Sequence, residues 1–147
     1  MKESRKRQWR RGFTMVELMA VLIILGLLAA VVVQKFSVRV DEARVRVTKA
    51  SLRELHTAIN QFHMDTGRWP TDAEGLSVLV QQPADVTNYP AGGYLETVQI
   101  PKDGWSHDFV FELYPETGKP FVIKSLGADG QPGGEGNNAD LLSTDAN

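Results

Sequence analysis

The chain has 147 residues, a net charge of −2 and no cysteine. This length fits one domain, and the lack of cysteine excludes disulfides and thiolate metal sites. The charge is divided unevenly, because residues 1–12 carry six basic side chains and one acidic one, whereas residues 13–147 carry ten basic and seventeen acidic ones. A body with a net charge of −7 argues against a nucleic-acid binder, which needs a basic surface.

A long apolar segment follows the basic N-terminus. Residues 13–33 contain a single charged side chain, and at about 1.5 Å per helical residue they can cross a hydrocarbon layer of roughly 30 Å. The segment is longer than the apolar region of a cleaved secretory signal, about 7 to 15 residues, so we expect the chain to retain it. Because basic residues beside a span stay in the cytoplasm, the sequence predicts a single-pass protein with a cytoplasmic N-terminus.

The single charge in this segment is Glu17. A charge deep in a span costs about 2.5–3.5 kcal/mol and is usually paired or functional. On its C-terminal side the chain offers no cation before Lys35. Its partner would therefore be Arg11, a new chain terminus or a group from another molecule.

After the apolar segment the pattern becomes amphipathic, and we predict one helix from about Thr14 to Met64. Gly67 and Pro70 predict its end. Sevenfold spacing can also indicate a coiled coil, but the apolar runs later in the chain favour packing on its own strands. Two apolar rows define the buried face: Val31, Val38, Val45, Leu52 and Ile59, with Leu55 and Phe62 beside them.

The remaining elements are short. A capping box, Thr71 to Glu74, predicts a second helix over residues 72–81. Three strands are predicted, the last two joined by a Pro-Glu-Thr-Gly turn: residues 95–100, 108–114 and 121–124. The predicted fold class is α+β, with a long N-terminal transmembrane and amphipathic helix packed on a small antiparallel sheet.

Residues 125–141 form a glycine-rich acidic loop directly after the last predicted strand. The loop combines five glycines with three carboxylates and an asparagine pair. Glycine lets backbone carbonyls turn inward, and oxygen ligands suit calcium better than zinc or iron. The spacing is not that of an EF-hand, and a solvated loop without metal has the same composition.

No enzyme is predicted. His56 and His63 lie seven residues apart on the predicted helix without a third ligand, so a packing edge or solvent is the simpler environment for both. His107 has no nucleophile elbow or H-E-x-x-H motif near it. We expect Trp69 and Trp105 to anchor the core or the loops.

The segment Gly-Phe-Thr-Met-Val-Glu-Leu-Met at residues 12–19 resembles the type III signal of type IV pilins and pseudopilins. The resemblance implies that a prepilin peptidase cuts between Gly12 and Phe13 and that the new amine of Phe13 is methylated. It also implies that Glu17 pairs with the Phe13 amine of a neighbouring subunit during assembly. The chain would then comprise a cleaved leader, residues 1–12, an assembly and membrane segment, residues 13–33, and a periplasmic domain, residues 34–147.

Five further motifs extend the resemblance to about residue 141. In order, they are Arg68-Trp69-Pro70-Thr71, Glu74-Gly75-Leu76, the run from Asn88 to Tyr94, the run from Pro101 to Trp105, and the run from Ser125 to Gly130. Together they resemble the major pseudopilin family of type II secretion, within the type IV pilin-like superfamily. This implies a structural homopolymer, a short periplasmic pseudopilus that drives protein export from the inner membrane. The implied partners are minor pseudopilins, the inner-membrane assembly platform and its ATPase, and the prepilin peptidase.

The resemblance also implies that the last loop holds Ca²⁺. Carried onto this chain, the ligands are the backbone oxygens of Leu126 and Gln131, the carboxylates of Asp129 and Asp140, and Asn138 as a further oxygen.

The chain departs from the family pattern at three places. Gln34 stands where relatives often have proline, Ala139 stands where an acid is common, and the familiar Asp-Pro-Trp-Gly is here Asp-Gly-Trp-Ser at residues 103–106. Without the proline, melting of the helix at Gln34 during assembly is less expected here than in relatives, and the other two departures predict weaker metal binding. Two alternatives share much of the sequence pattern: a type IV pilin of an adhesion, motility or DNA-uptake fibre, and a membrane-anchored calcium-binding module that does not polymerise.

Overall fold

The computed structural model describes residues 12–116 and 118–145, with side chains omitted for residues 31–38. The predicted leader, apart from Gly12, lies outside the described residues, as do the side chains of Val31, Gln34 and Val38. The chain divides into two compact units, Met1–Arg39 and Val40–Asn147.

Helix α1 runs from Met15 to Thr66, which confirms the predicted long helix. Its last turn closes when the N–H of Gly67 donates to the carbonyl oxygen of His63 at 2.8 Å. Gly67 has a φ of 75°, a conformation that glycine adopts without steric cost, and so the helix ends there.

In the first unit α1 exposes its apolar side chains. The most exposed include Val16 at 74%, Leu22 at 68% and Leu27 at 67%. No helix within the described residues has both the length and the mean hydropathy needed to cross a membrane.

The core of the second unit lies between α1 and the strands. Leu52, Leu55, Ile59 and Phe62 are fully buried, as the predicted apolar rows require. They join the strand residue Ile123 and other apolar side chains in one cluster. Burying a side chain of this size stabilises the fold by about 1.5–3 kcal/mol, so this helix face fixes α1 to the sheet.

The sheet has three antiparallel strands in the order β1-β2-β3. Their bounds are Val110–Leu113 for β1, Phe121–Ser125 for β2 and Leu141–Leu142 for β3. Strand β2 is central and is mostly buried. The glycine-rich loop begins at the end of β2 and ends at the start of β3, where Ser125 lies opposite Leu141 in the register. The α+β prediction is therefore confirmed.

Two predictions of local structure were wrong, and one short strand was missed. The helix predicted over residues 72–81 is a shorter 3-10 helix, Gly75–Leu79, because Gly75 has a φ of 51° and cannot continue an α-helix. No strand forms over residues 95–100, where residues 96–99 are all exposed and lack the alternation of a half-buried strand. The short strand β3 was not predicted.

The predicted capping box is present, and an ion network extends it. Glu74 Oε2 accepts hydrogen bonds from the N–H and from the hydroxyl of Thr71, both at 2.9 Å. The N–H of Glu74 in turn donates to Thr71 Oγ1 at 3.3 Å. Arg68 donates two hydrogen bonds to Glu74 and two to Asp85, each 2.8–2.9 Å. The hydrogen bonds from Arg68 lower the pKa of Glu74 to about 2, so this carboxylate stays ionised and holds the 3-10 segment beside the end of α1.

Candidate assembly and metal sites

The predicted processing site lies just before α1. Gly12 and Phe13 are exposed and non-helical, and Phe13 is 78% exposed. The backbone between them carries no helical hydrogen bonds, because α1 begins only at Met15. The bond between Gly12 and Phe13 therefore lies outside the helix.

Glu17 lies in the first turn of α1 and is held by Thr14. Its Oε2 accepts hydrogen bonds from the N–H of Thr14 at 2.9 Å and from the hydroxyl at 3.0 Å. The N–H of Glu17 in turn donates to Thr14 Oγ1 at 3.2 Å. This reciprocal pair satisfies two backbone donors at the helix start. The second carboxylate oxygen of Glu17 has no hydrogen-bond partner among residues 12–116 and 118–145.

A tight turn at residues 103–107 lies beside α1 and the start of the glycine-rich loop. Asp103 is buried, and its Oδ1 accepts hydrogen bonds from the N–H groups of Trp105 and His107 at 2.9 and 2.8 Å. Its Oδ2 accepts one from the hydroxyl of Ser125 at 2.6 Å. The N–H of Gly104 donates to Thr48 Oγ1 of α1 at 2.8 Å, so one turn joins the helix to the end of β2.

The departure of this turn from Asp-Pro-Trp-Gly has a steric consequence. A Cβ on Gly104 would lie 2.4 Å from the carbonyl oxygen of Arg44, and a proline there would also lose the hydrogen bond to Thr48. Ser106, in contrast, has a φ of 72°, a strained conformation for any residue except glycine.

We therefore expect Ser106→Gly to raise the free energy of unfolding by about 1 kcal/mol. Gly104→Ala should lower it by about 2 kcal/mol or more, because the added methyl group collides with backbone of α1. Urea unfolding of the full chain in detergent, followed by tryptophan fluorescence, measures both. A stabilised Gly104→Ala variant would show that the turn does not lie against the helix as described.

The glycine-rich loop brings its two ends together. Ala128 N–H donates to the carbonyl oxygen of Asn137 at 2.9 Å. A Cβ on Gly127 would lie 2.7 Å from the carbonyl oxygen of Asn138, and one on Gly134 would lie 2.5 Å from the same atom. Only glycine permits these approaches, which place the backbone of residues 126–128 against the predicted ligand Asn138.

The other predicted ligands occupy the same loop in different environments. Asp129 is exposed, and its Oδ1 accepts a hydrogen bond from the N–H of Gln131 at 3.1 Å. Oδ1 of Asp140 is buried, and it has no hydrogen-bond partner among the described residues. A buried carboxylate oxygen without a donor costs free energy unless a cation compensates it, so Asp140 fits a role as a metal ligand.

The donor types also fit a hard cation. The described part of the chain contains no cluster of three or more His, Cys, Asp or Glu side chains that could hold a metal ion. Any ion in this loop would depend on two carboxylates together with backbone and amide oxygens. Calcium accepts such a mixed set of six to eight oxygens, whereas zinc does not.

Sequence reasoning did not identify the residues that support the loop. His107 Nδ1 lies 3.0 Å from the carbonyl oxygen of Gly127. Atoms of its ring lie 3.4–3.6 Å from the position that a Cβ on Gly130 would take. Asp103 orients Ser125, whose Oγ accepts a hydrogen bond from the N–H of Gly127 at 3.4 Å. The Asp-Gly-Trp-Ser motif was the available signal, but its distance along the chain from the loop concealed the connection.

The sequence matches two family models. Residues 35–144 match the family described as "Type II secretion system (T2SS), protein G", and residues 10–33 match the "Prokaryotic N-terminal methylation motif". The chain is 37% identical over 139 residues to the type II secretion system core protein G of Pseudomonas aeruginosa, covering 92% of this chain and 96% of that protein. It is 36% identical over 143 residues to the Vibrio cholerae protein of the same name, covering 96% and 94%.

The structure is also similar to a solved one. The crystal structure of the major pseudopilin from the type 2 secretion system of enterohaemorrhagic Escherichia coli superposes with a TM-score of 0.57 and 28% sequence identity. The match covers 69% of this chain and 87% of that one. The first family model alone spans most of the chain, and the resemblance inferred from the motifs is confirmed. This chain therefore belongs to the protein G family of the type II secretion system.

Proposed function

We propose that this protein is the structural major pseudopilin subunit of a type II secretion system and has no catalytic role. The observation that carries this proposal is the similarity to core protein G over nearly the whole chain, including the N-terminal methylation motif. A polymer subunit needs a shared assembly segment and a rigid outer domain. Residues 13–33 and the helix-on-sheet unit supply the two parts.

Processing is the first step of the proposed pathway. A prepilin peptidase cuts between Gly12 and Phe13, and the Phe13 amine is methylated. Both residues are exposed ahead of the helix, which supports access by an enzyme. The cut removes the net +5 leader and leaves a positive amine close to Glu17 in sequence.

The chain is proposed to sit in the inner membrane with its N-terminus in the cytoplasm and residues 34–147 in the periplasm. The basic leader before a 21-residue apolar segment supports this orientation. During assembly Glu17 pairs with the Phe13 amine of a neighbouring subunit. Thr14 already binds one oxygen of Glu17, which holds the carboxylate at the start of α1.

The loop of residues 125–141 is proposed to bind Ca²⁺ through Leu126, Asp129, Gln131, Asn138 and Asp140. The buried unpartnered oxygen of Asp140 and the close approach of Asn138 to Gly127 support this ligand set. When bound, the ion supplies positive charge that ties the two ends of the loop together. The rigid loop then presents a constant outer surface to neighbouring pseudopilins in the periplasm. The proposed partners of the subunit are minor pseudopilins and the inner-membrane assembly platform with its ATPase.

Mass spectrometry of the mature protein tests the proposal. We expect the recovered N-terminal peptide to begin at Phe13 and to carry one added methyl group. Cross-linking in membranes should give a ladder of multimers, which a non-polymerising anchored module would not form. An intact leader, or cleavage beyond Ala30, would contradict the pseudopilin function.

A further inference from the structure

The exposed side of α1 in the second unit has flanks of opposite charge. Arg53 and Thr57 form the ridge between them, since both residues line the cavities on either side. We call one flank the basic cavity: it measures about 350 Å³ and is lined by His56, Asn60, Lys119, Ser143 and Thr144 besides the ridge. The other flank is the acidic groove, lined by Glu54, Gln61, Tyr94 and Glu96.

The basic cavity is lined by two cations and no carboxylate. Arg53 and Lys119 line it, and neither forms an ion pair with any carboxylate of the described residues. Its floor is polar and rigid, because Ser143 Oγ accepts a hydrogen bond from the N–H of Ile123 at 3.1 Å and lies 3.2 Å from His56 Nδ1. His56 also packs on Phe121, with ring centroids 4.7 Å apart.

The acidic groove is complementary in charge. Glu54 and Glu96 are exposed, and neither forms an ion pair within residues 12–116 and 118–145. Glu96 is the first of the four exposed residues, 96–99, within the segment predicted as a strand, and it lines the groove beside α1. Arg53 also borders this groove, so the groove is lined by two carboxylates and one cation, whereas the basic cavity is lined by two cations and no carboxylate.

We propose that the basic cavity binds the acidic groove of a second copy of this chain, with Glu96 of one copy entering the cavity at Lys119 of the next. This inference rests on the proposed function as a fibre subunit. A contact between two different surfaces is heterologous, so each copy keeps one cavity and one groove free and the contact propagates as an open polymer. It also offsets the repulsion between bodies that each carry a net charge of −7.

Cysteine cross-linking of the full chain in membranes, with its secretion apparatus present, tests the contact. The chain has no native cysteine, so Thr97→Cys beside Glu96 and Thr144→Cys at the cavity introduce unique thiols. The double variant should give disulfide ladders of three or more copies, whereas neither single variant should form even a dimer. Dimers from one single variant would mean a symmetric contact and would overturn the inference.

Charge reversal at the two proposed contact residues is a second test of the contact. Lys119→Glu and Glu96→Lys should each lower fibre yield by about fivefold or more, because each places like charges together, and combining them should restore it. The matched controls Lys49→Glu and Glu116→Lys change a half-buried and an exposed residue that line neither cavity, and they should leave the yield unchanged. Normal fibres from both reversed variants would overturn this contact alone. Absence of fibres from the unchanged chain would overturn the proposed function as well.

Discussion

Glu17→Ala is expected to leave membrane insertion intact and to lower fibre yield by more than about tenfold. The inserted fraction should not fall, because the substitution removes a charge that costs about 2.5–3.5 kcal/mol within a span. The fibre yield should fall, because loss of one partner from a buried ion pair costs about 3–5 kcal/mol and leaves the Phe13 amine of the neighbour unpaired. Membrane fractionation measures the first result, and the yield of sheared fibres measures the second.

Glu17→Gln separates the charge from the helix cap. The glutamine side-chain oxygen can still accept the hydrogen bonds that Thr14 gives to Glu17, so the start of α1 is preserved. We expect this variant to assemble as poorly as Glu17→Ala. Full assembly of the glutamine variant would mean that Glu17 acts by capping the helix and that no charge pair is required.

Calcium is expected to raise the melting temperature of the full chain in detergent by about 5–15 °C over the value in a chelator. A ligand at a hundredfold excess over its dissociation constant stabilises the native state by about 2.7 kcal/mol, and each kcal/mol shifts the melting temperature of a chain of this size by about 2–8 °C. Differential scanning fluorimetry with CaCl₂, MgCl₂ and chelator gives the comparison. Magnesium should have a smaller effect, because it demands regular octahedral geometry.

Asp129→Asn and Asp140→Asn should each remove most of this shift. Glu135→Gln is the matched control, because Glu135 lies in the same loop but is exposed and outside the proposed ligand set. In the chelator, Asp140→Asn should melt no lower than the unchanged chain, since it replaces a buried unpaired carboxylate oxygen with a neutral amide. An undiminished shift in Asp140→Asn would reject the ligand assignment.

Local pattern was sufficient for the parts of the fold that depend on neighbours in sequence. The bounds of α1 followed from apolar spacing and from Gly67, and the buried residues Leu52 and Phe62 followed from the same spacing. Alternation and a turn motif predicted β1 and β2. The motif at residues 12–19 indicated type IV pilins and pseudopilins in general, and the five motifs between residues 68 and 130 were needed to indicate the family.

The tertiary structure decided the parts that depend on distant partners. Residues 95–100 have strand-like composition but no neighbouring strand, whereas Leu141–Leu142 became a strand because β2 offered a free edge. Three features depend on segments that lie far apart in the chain. They are the burial of Asp140 Oδ1, the hydrogen bond from Ser125 to Asp103, and the two oppositely charged flanks of α1. The sequence by itself determined which elements form and which family the chain belongs to, because those signals are local. Which polar groups meet was decided only by packing, because the partners come from distant segments, as Ser125 and Asp103 do.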